Sequence, residues 1–146
     1  MPDVIVAGDA PWILADVSAV LSGPDDEVRD VHSGEEVLPA VRARRPDLVI
    51  LDLQIGNMGA MATCIDLRLE ESGGRAPHVP VLFLLDRRAD VFLARRADAD
   101  GWVIKPTDPI RLRRAVRAIL AGERYEDESY RPATVAGLVA SGPAHD

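Results

Sequence analysis

Residues 47–53 constrain the fold of this chain more than any other segment. Between Asp47 and Asp52 the chain carries only apolar side chains, without the alternation expected of a strand that has one face in water. A continuous apolar run of this length is typical of a parallel strand that helices cover on both faces. The sequence therefore predicts a central, fully buried strand that ends at an acidic residue.

Four other short apolar runs alternate with amphipathic stretches, at residues 4–7, 28–31, 81–85 and 102–104. Helical spacing of apolar residues follows the strands. Asp108 and Pro109 predict the cap and first turn of the last helix, whereas Pro39 predicts a kink or a late start in the second. Five strand–helix units predict an α/β fold, a doubly wound five-stranded parallel sheet with helices on both faces.

Length and composition indicate one globular domain. The chain has 146 residues, and 47% of them are apolar, which is enough for one core. The only cysteine, Cys64, excludes a disulfide framework and a cysteine-rich zinc module. No run of residues suits a membrane span, so we expect a cytoplasmic protein. We expect the domain over residues 1–121 and a C-terminal tail, partly ordered at most, over residues 122–146.

Charge is distributed unevenly along the chain. The net charge is −7, which argues against direct nucleic-acid binding. Residues 87–117, however, hold nine basic and four acidic side chains, a local charge of +5. This segment predicts one basic face with an acidic partner. Every basic residue in the chain is arginine except Lys105.

Polar residues stand where the predicted strands end. Asp9 follows the first strand, Asp52 ends the third, and Lys105 follows the fifth. Sites in doubly wound sheets form beyond the carboxyl ends of the strands, where the first, third and fifth strands converge. Two close carboxylates favour a divalent cation, and a lysine opposite them suits a phosphoryl group. Asp52 is therefore the candidate nucleophile, which would accept a phosphoryl group as an acyl phosphate.

Two motifs carry a resemblance to a known family. Residues 46–53, Pro-Asp-Leu-Val-Ile-Leu-Asp-Leu, and residues 101–106, Gly-Trp-Val-Ile-Lys-Pro, lie at a fitting distance from Asp9. Over roughly residues 3–121 the chain resembles the receiver (phosphoacceptor) domain of bacterial two-component response regulators. This resemblance implies the flavodoxin-like strand order 2-1-3-4-5.

The resemblance also implies roles for individual residues. Asp52 would be the phosphoacceptor and Lys105 the phosphoryl contact. Mg²⁺ would be held by Asp9, by Asp52 and by the backbone carbonyl of Gln54. The phosphoryl donor would be a sensor histidine kinase.

The chain departs from the family pattern at several positions. Gly8 stands where the family usually has a second acid, so we expect Mg²⁺ to bind weakly. Leu85 stands where the family has serine or threonine, and it cannot donate a hydrogen bond to a phosphoryl oxygen. Trp102 occupies the position where the family carries a movable aromatic residue, so Trp102 is a candidate for a conformational switch. Asp86 is a possible substitute acid, although we favour a helix cap for it.

Two functions remain open from the sequence. In the first, a single receiver domain is phosphorylated on Asp52 and signals through protein contacts, as a homodimer or with an output partner. The Arg-rich face of the fourth helix, fifth strand and fifth helix would make these contacts. In the second, the chain is a phosphorylation-independent pseudo-receiver that acts as a protein interaction module.

Other classes of function are disfavoured. A flavodoxin-like cofactor carrier needs a hydroxyl-rich phosphate loop after the first strand, whereas residues 8–11 supply an acid and no hydroxyl. No phosphate-binding loop of the nucleotide-hydrolase type, catalytic triad or zinc spacing is present. We therefore expect no enzymatic activity, no direct nucleic-acid contact and no membrane contact.

Overall fold

The fold is organised around one parallel sheet. The computed structural model describes residues 2–21, 23, 26–55 and 59–127. Its strands lie in the order β2-β1-β3-β4-β5-β6. They are β1 (Asp3–Ala7), β2 (Glu27–Val31), β3 (Leu48–Asp52), β4 (Val81–Leu85), β5 (Gly101–Ile104) and β6 (Tyr125–Glu126). The predicted doubly wound sheet with the order 2-1-3-4-5 is confirmed, and a sixth strand extends it.

Helices cover both faces of the sheet. They are α1 (Pro11–Val20), α2 (Val37–Ala43), α3 (Ala60–Ser72), α4 (Val91–Arg96) and α5 (Pro109–Leu120), with short 3-10 helices at Gly34–Glu36 and Arg88–Asp90. Side chains of α1 and α5 form one buried cluster with the sheet, and those of α2, α3 and α4 form the other. Within the described ranges, no helix combines the length and apolar character needed to cross a membrane.

Strand β3 lies at the centre of both clusters. It pairs with β1 on one side and with β4 on the other. Leu48 and Ile50 pack in the cluster with α1 and α5, whereas Val49 and Leu51 pack in the opposite cluster. All four side chains are fully buried. The continuous apolar run therefore reflects a strand with no face in water, as the sequence predicts.

The starts of two helices follow the sequence signals. The carboxylate of Asp108 accepts a hydrogen bond from the backbone N–H of Ile110 at 2.8 Å, which confirms the predicted cap of α5. Helix α2 begins at Val37, so Pro39 lies in its first turn. At that position the missing N–H of proline costs no helical hydrogen bond. The late start predicted for this helix is confirmed.

Strand β6 comes from the segment expected to be a tail. It runs parallel to β5, with Tyr125 opposite Gly101 and Glu126 opposite Trp102. The sequence predicts five strands, and the sixth was missed because two paired residues leave no hydrophobic periodicity. Residues 128–146 of the expected tail lie outside the described residues.

Candidate functional site

The carboxyl ends of β3, β4 and β5 bring three charged side chains together. The register of these adjacent strands places their ends at one edge of the sheet. The Nζ atom of Lys105 lies 2.5 Å from Oδ1 of Asp52 and 2.9 Å from Oδ1 of Asp86. One ammonium group therefore bridges two carboxylates.

The two carboxylate oxygens of Asp52 have different surroundings. Oδ1 accepts hydrogen bonds from Lys105 and, at 3.3 Å, from the backbone N–H of Gln54. Oδ2 accepts none from the residues that the structure describes. It lies toward Gly8, where an added Cβ would stand 3.6 Å from it and 3.3 Å from the Cβ of Asp52. Because residue 8 has no side chain, Oδ2 is the open oxygen of a residue that is only 4% exposed.

Lys105 is held in its charged form. Burial lowers the pKa of its ammonium, but the hydrogen bonds to Asp52 and Asp86 outweigh burial and leave the pKa above its ordinary value. The half-exposed ring of Trp12 adds a cation–π contact, with its centroid 5.7 Å from Nζ. The lysine is therefore a fixed positive charge at neutral pH.

Asp86 enters the cleft, and the favoured interpretation of it as a helix cap is wrong. The 3-10 helix that follows is preceded by Arg87, whose backbone N–H donates to the carboxylate of Asp90 at 3.1 Å. The carboxylate of Asp86 instead accepts from Lys105 and, at 2.7 Å, from the side-chain amide of Gln54. The contact with Lys105 joins two opposite charges in a partly buried place, whereas a cap would pair the carboxylate with an uncharged N–H, so the ion pair is favoured.

The other expected site residues make no hydrogen bond or ion pair to this charged cluster within the part of the chain that the structure describes. Asp9 is exposed, and no described residue forms a hydrogen bond or ion pair with it. Leu85 is fully buried and has no hydrogen-bond donor to offer the cleft. Trp102 is 1% exposed, and the guanidinium of Arg95 lies 5.2 Å from the centroid of its ring.

A divalent cation could use only part of this site. No group of three or more His, Cys, Asp or Glu side chains suited to a metal occurs within the described ranges. The ligand oxygens that the family resemblance implies belong to the carboxylates of Asp9 and Asp52 and to the backbone carbonyl of Gln54. Mg²⁺ commonly binds through one or two carboxylates while it keeps several waters. The donor set therefore fits a mostly hydrated ion.

Sequence reasoning missed two contacts of the cluster. Gln54 was expected to act through its backbone carbonyl, but its side chain binds Asp86. Trp12, which is three residues beyond Asp9, was given no role in the site, but its ring contacts Lys105. Both residues follow strand ends closely, which is the one signal that could have drawn attention to them.

Comparison with known proteins identifies the family of the chain. A family model described as the response regulator receiver domain matches residues 4–117. The DNA-binding response regulator MtrA of Mycolicibacterium smegmatis is 33% identical over 144 residues, which cover 97% of this chain and 60% of that protein. The chain thus spans about three fifths of the length of this relative.

Solved structures share the fold. A putative response regulator from Chloroflexus aurantiacus superposes with a TM-score of 0.73 at 25% identity, over 82% of this chain and 98% of that one. A LuxR-family two-component response regulator from Aurantimonas sp. SI85-9A1 has a TM-score of 0.75 at 23% identity, over 97% and 96% of the two chains, a likeness that concerns the fold alone. The family model covers most of this chain, and the chain belongs to the response regulator receiver domain family.

Proposed function

We propose that this chain accepts a phosphoryl group on Asp52 from a sensor histidine kinase and signals through protein contacts. Receiver domains are signalling proteins rather than typical enzymes, and response regulators interact with sensor kinases. The proposal depends on the different surroundings of the two carboxylate oxygens of Asp52. Lys105 holds Oδ1 at 2.5 Å, and Oδ2, which lies toward Gly8, accepts no hydrogen bond from any residue that the structure describes.

The transfer step follows from this arrangement. Oδ2 of Asp52 forms a bond to phosphorus, while the bond between phosphorus and the histidine nitrogen of the donor breaks. The electron pair of that bond stays with the nitrogen. Lys105 is the protein's own positive charge next to the transferred group, and phosphoryl transfer depends chiefly on such positioning and charge neutralisation. Burial of Asp52 limits the access of water to the acyl phosphate.

Receiver domains generally bind Mg²⁺ at the acidic pocket. In this chain Asp9, Asp52 and the carbonyl of Gln54 would hold the ion, and Gly8 supplies no further carboxylate. A bound Mg²⁺ would neutralise charge on the phosphoryl oxygens. Because the affinity of such sites rises with the number of charged ligands, we expect weak binding.

Intact-mass measurement tests phosphorylation directly. The protein is incubated with acetyl phosphate and Mg²⁺, and we expect a gain of one phosphoryl group that is absent in Asp52→Asn. Asp98→Asn is the matched control, because its exposed carboxylate lies outside the cluster. No gain in the wild type, or the same gain in Asp52→Asn, would contradict the proposal.

A phosphorylation-independent interaction module is the second candidate. The ammonium of Lys105 already donates a hydrogen bond to Oδ1 of Asp86 at 2.9 Å. The buried side chain of Leu85 supplies no hydroxyl to the cleft. Both features weaken the usual means of sensing a phosphoryl group. Binding of an output partner that is identical in wild type and Asp52→Asn, together with no phosphoryl gain, would favour this function.

The proposed contact surface is the face of α4, β5 and α5. Its exposed arginines include Arg95, Arg96, Arg113, Arg114 and Arg117. A homodimer or an acidic output partner would use this face. Light scattering at low and high salt tests dimerisation, and a salt-independent monomer at high concentration argues against a homodimer. The absence of direct nucleic-acid contact stays a prediction, because MtrA is named a DNA-binding protein.

A further inference from the structure

The outer edge of β5 is occupied by the chain's own residues 125–127. The backbone N–H of Tyr125 donates to the carbonyl of Asp100 at 3.2 Å, and that of Asp127 donates to the carbonyl of Trp102 at 3.3 Å. The carboxylate of Asp127 then accepts from the backbone N–H of Ile104 at 2.9 Å. These three bonds cover the edge of β5 along its whole length. We name residues 125–127 the edge segment.

Gly101 makes this close approach possible. A Cβ at position 101 would lie 2.5 Å from the backbone oxygen of Tyr125 and 3.0 Å from Cδ1 of Ile119. The first distance is shorter than any real Cβ contact, so a side chain there would exclude the edge segment in its present position. The edge of β5 is thus shaped to receive another strand.

Charge complementarity fixes the edge segment between two helices. Glu126 lies 3.8 Å from Arg95 of α4, and Asp127 lies 3.7 Å from Arg111 of α5. Asp127 is 3% exposed, whereas Glu126 stays exposed. Tyr125 packs against the apolar cluster formed with α1 and α5. An aromatic residue followed by two acids therefore matches this face in shape and in charge.

A cleft beside the edge segment extends the same face. It has a volume of about 280 Å³ and is lined by residues of α4, by Trp102 and by the two acids Glu126 and Asp127. Phe92 of α4 is 56% exposed at this cleft. A longer extended segment could therefore contact apolar surface beyond the part that the chain covers itself.

We propose that the face of α4, β5 and α5 binds an extended acidic segment of a partner protein, which adds a parallel strand to β5, and that the edge segment is its internal competitor. Strand addition of this kind takes affinity from backbone hydrogen bonds and specificity from alternate side chains. The partner segment would carry an aromatic residue followed by two acids. The proposal rests on the view that this chain signals by protein contacts, and it needs no phosphorylation of Asp52.

Competition follows from the covalent connection. The edge segment follows α5 after a short turn, so its effective concentration at β5 is high. A partner segment therefore binds the intact chain poorly until the edge segment is released. The same tether opposes strand pairing between the β5 edges of two molecules, because that edge is already filled.

A peptide titration tests the proposal on the full chain. The probe is a fluorescent synthetic peptide with the sequence of residues 122–128, measured by anisotropy without any phosphoryl donor. Asp127→Ala removes the bond to Ile104 and releases the edge segment, so we expect it to bind the peptide at least tenfold more tightly than the wild type does. Tyr125→Pro, which lacks the N–H that donates to Asp100, is a second releasing variant with the same expected result.

The controls separate specific strand addition from attraction of acids to arginines. A peptide with Glu126→Gln and Asp127→Asn, and a peptide of the same composition in shuffled order, should both lose the binding. The proposal is overturned if neither releasing variant binds the native peptide, or if the control peptides bind equally well. It is also overturned if the releasing variants become stable dimers, because the occupant would then be a second copy of this chain. Each result is independent of the acetyl phosphate experiment.

Discussion

Asp86→Asn should increase phosphorylation of Asp52. The two carboxylates share the ammonium of Lys105, so their bonded oxygens lie within about 5.4 Å of each other. A phosphoryl group brings the charge at Asp52 to roughly −1.5 to −2. The added charge is repelled by Asp86 and competes with it for Lys105. Asparagine has the same shape and still bonds to Gln54, but it carries no charge.

The size of the effect follows from the distance and the exposure. Two unit charges about 5 Å apart repel by about 3 kcal/mol at an effective dielectric constant of 20, and by less than about 1 kcal/mol in water. The side chain of Asp86 is 26% exposed, so a value between these limits applies. A relief of about 1.4 kcal/mol corresponds to roughly a tenfold increase in the ratio of phosphorylated to unphosphorylated protein.

The assay compares the phosphorylated fraction by intact mass at several acetyl phosphate concentrations, with Mg²⁺ held constant. Asp98→Asn is again the matched control, since it removes one exposed carboxylate at a distance from the cluster, and its positive φ of 62° is tolerated by asparagine. A phosphorylated fraction in Asp86→Asn equal to or below that of the wild type would refute the reasoning, because Asp86 would then not oppose the added charge.

Three further predictions concern stability. Burial raises the pKa of Cys64 from 9.0 to about 12, so the stability that its neutral thiol contributes is complete below pH 9 and falls as the pH rises. From pH 9 to pH 11 the free energy of unfolding of the wild type should fall by about 2 kcal/mol more than that of Cys64→Ala, and parallel urea-unfolding profiles would contradict this. Asp108→Ala should lower the free energy of unfolding by about 1 kcal/mol, measured in urea, while Asp108→Asn should keep most of the cap; equal losses would argue against capping. Leu85→Thr should lower the free energy of unfolding by about 2–3 kcal/mol, again measured in urea, because it buries a hydroxyl. Leu85→Ile should lower it by less than about 1.5 kcal/mol. A smaller loss for threonine than for isoleucine would show that the hydroxyl finds a hydrogen-bond partner.

The parts of the molecule that the sequence predicts well are those in which one physical requirement leaves few choices. A parallel strand covered on both faces must be apolar along its buried length, and β3 is apolar from Leu48 to Leu51, up to the aspartate that ends it. Strand ends in such a sheet share one edge, so Asp52 and Lys105 meet although 53 positions separate them. Asp9 is exposed and forms no hydrogen bond or ion pair with the described residues, so its place in the same cleft stays a prediction.

The parts that were missed depend on competition between partners. Asp86 could cap a helix or pair with Lys105, and the outcome depends on where the lysine nitrogen lies in space, which spacing along the chain does not encode. Strand β6 has only two paired residues, and two residues are too few to show a periodic pattern of side chains. The absence of a side chain at Gly101 is the one sequence feature that the close approach requires, and a single glycine is equally typical of a turn, a bulge or a helix end.

The shortness of β6 has a consequence for the behaviour of the protein at high concentration. An uncovered strand with the sequence Gly-Trp-Val-Ile would be an apolar template at the rim of the sheet, of the kind that draws molecules into edge-to-edge aggregates. Two paired residues and one buried carboxylate, that of Asp127, mask this template while they present only a short, acidic rim of their own. The same few residues thus help keep the protein from polymerising, whatever it signals to.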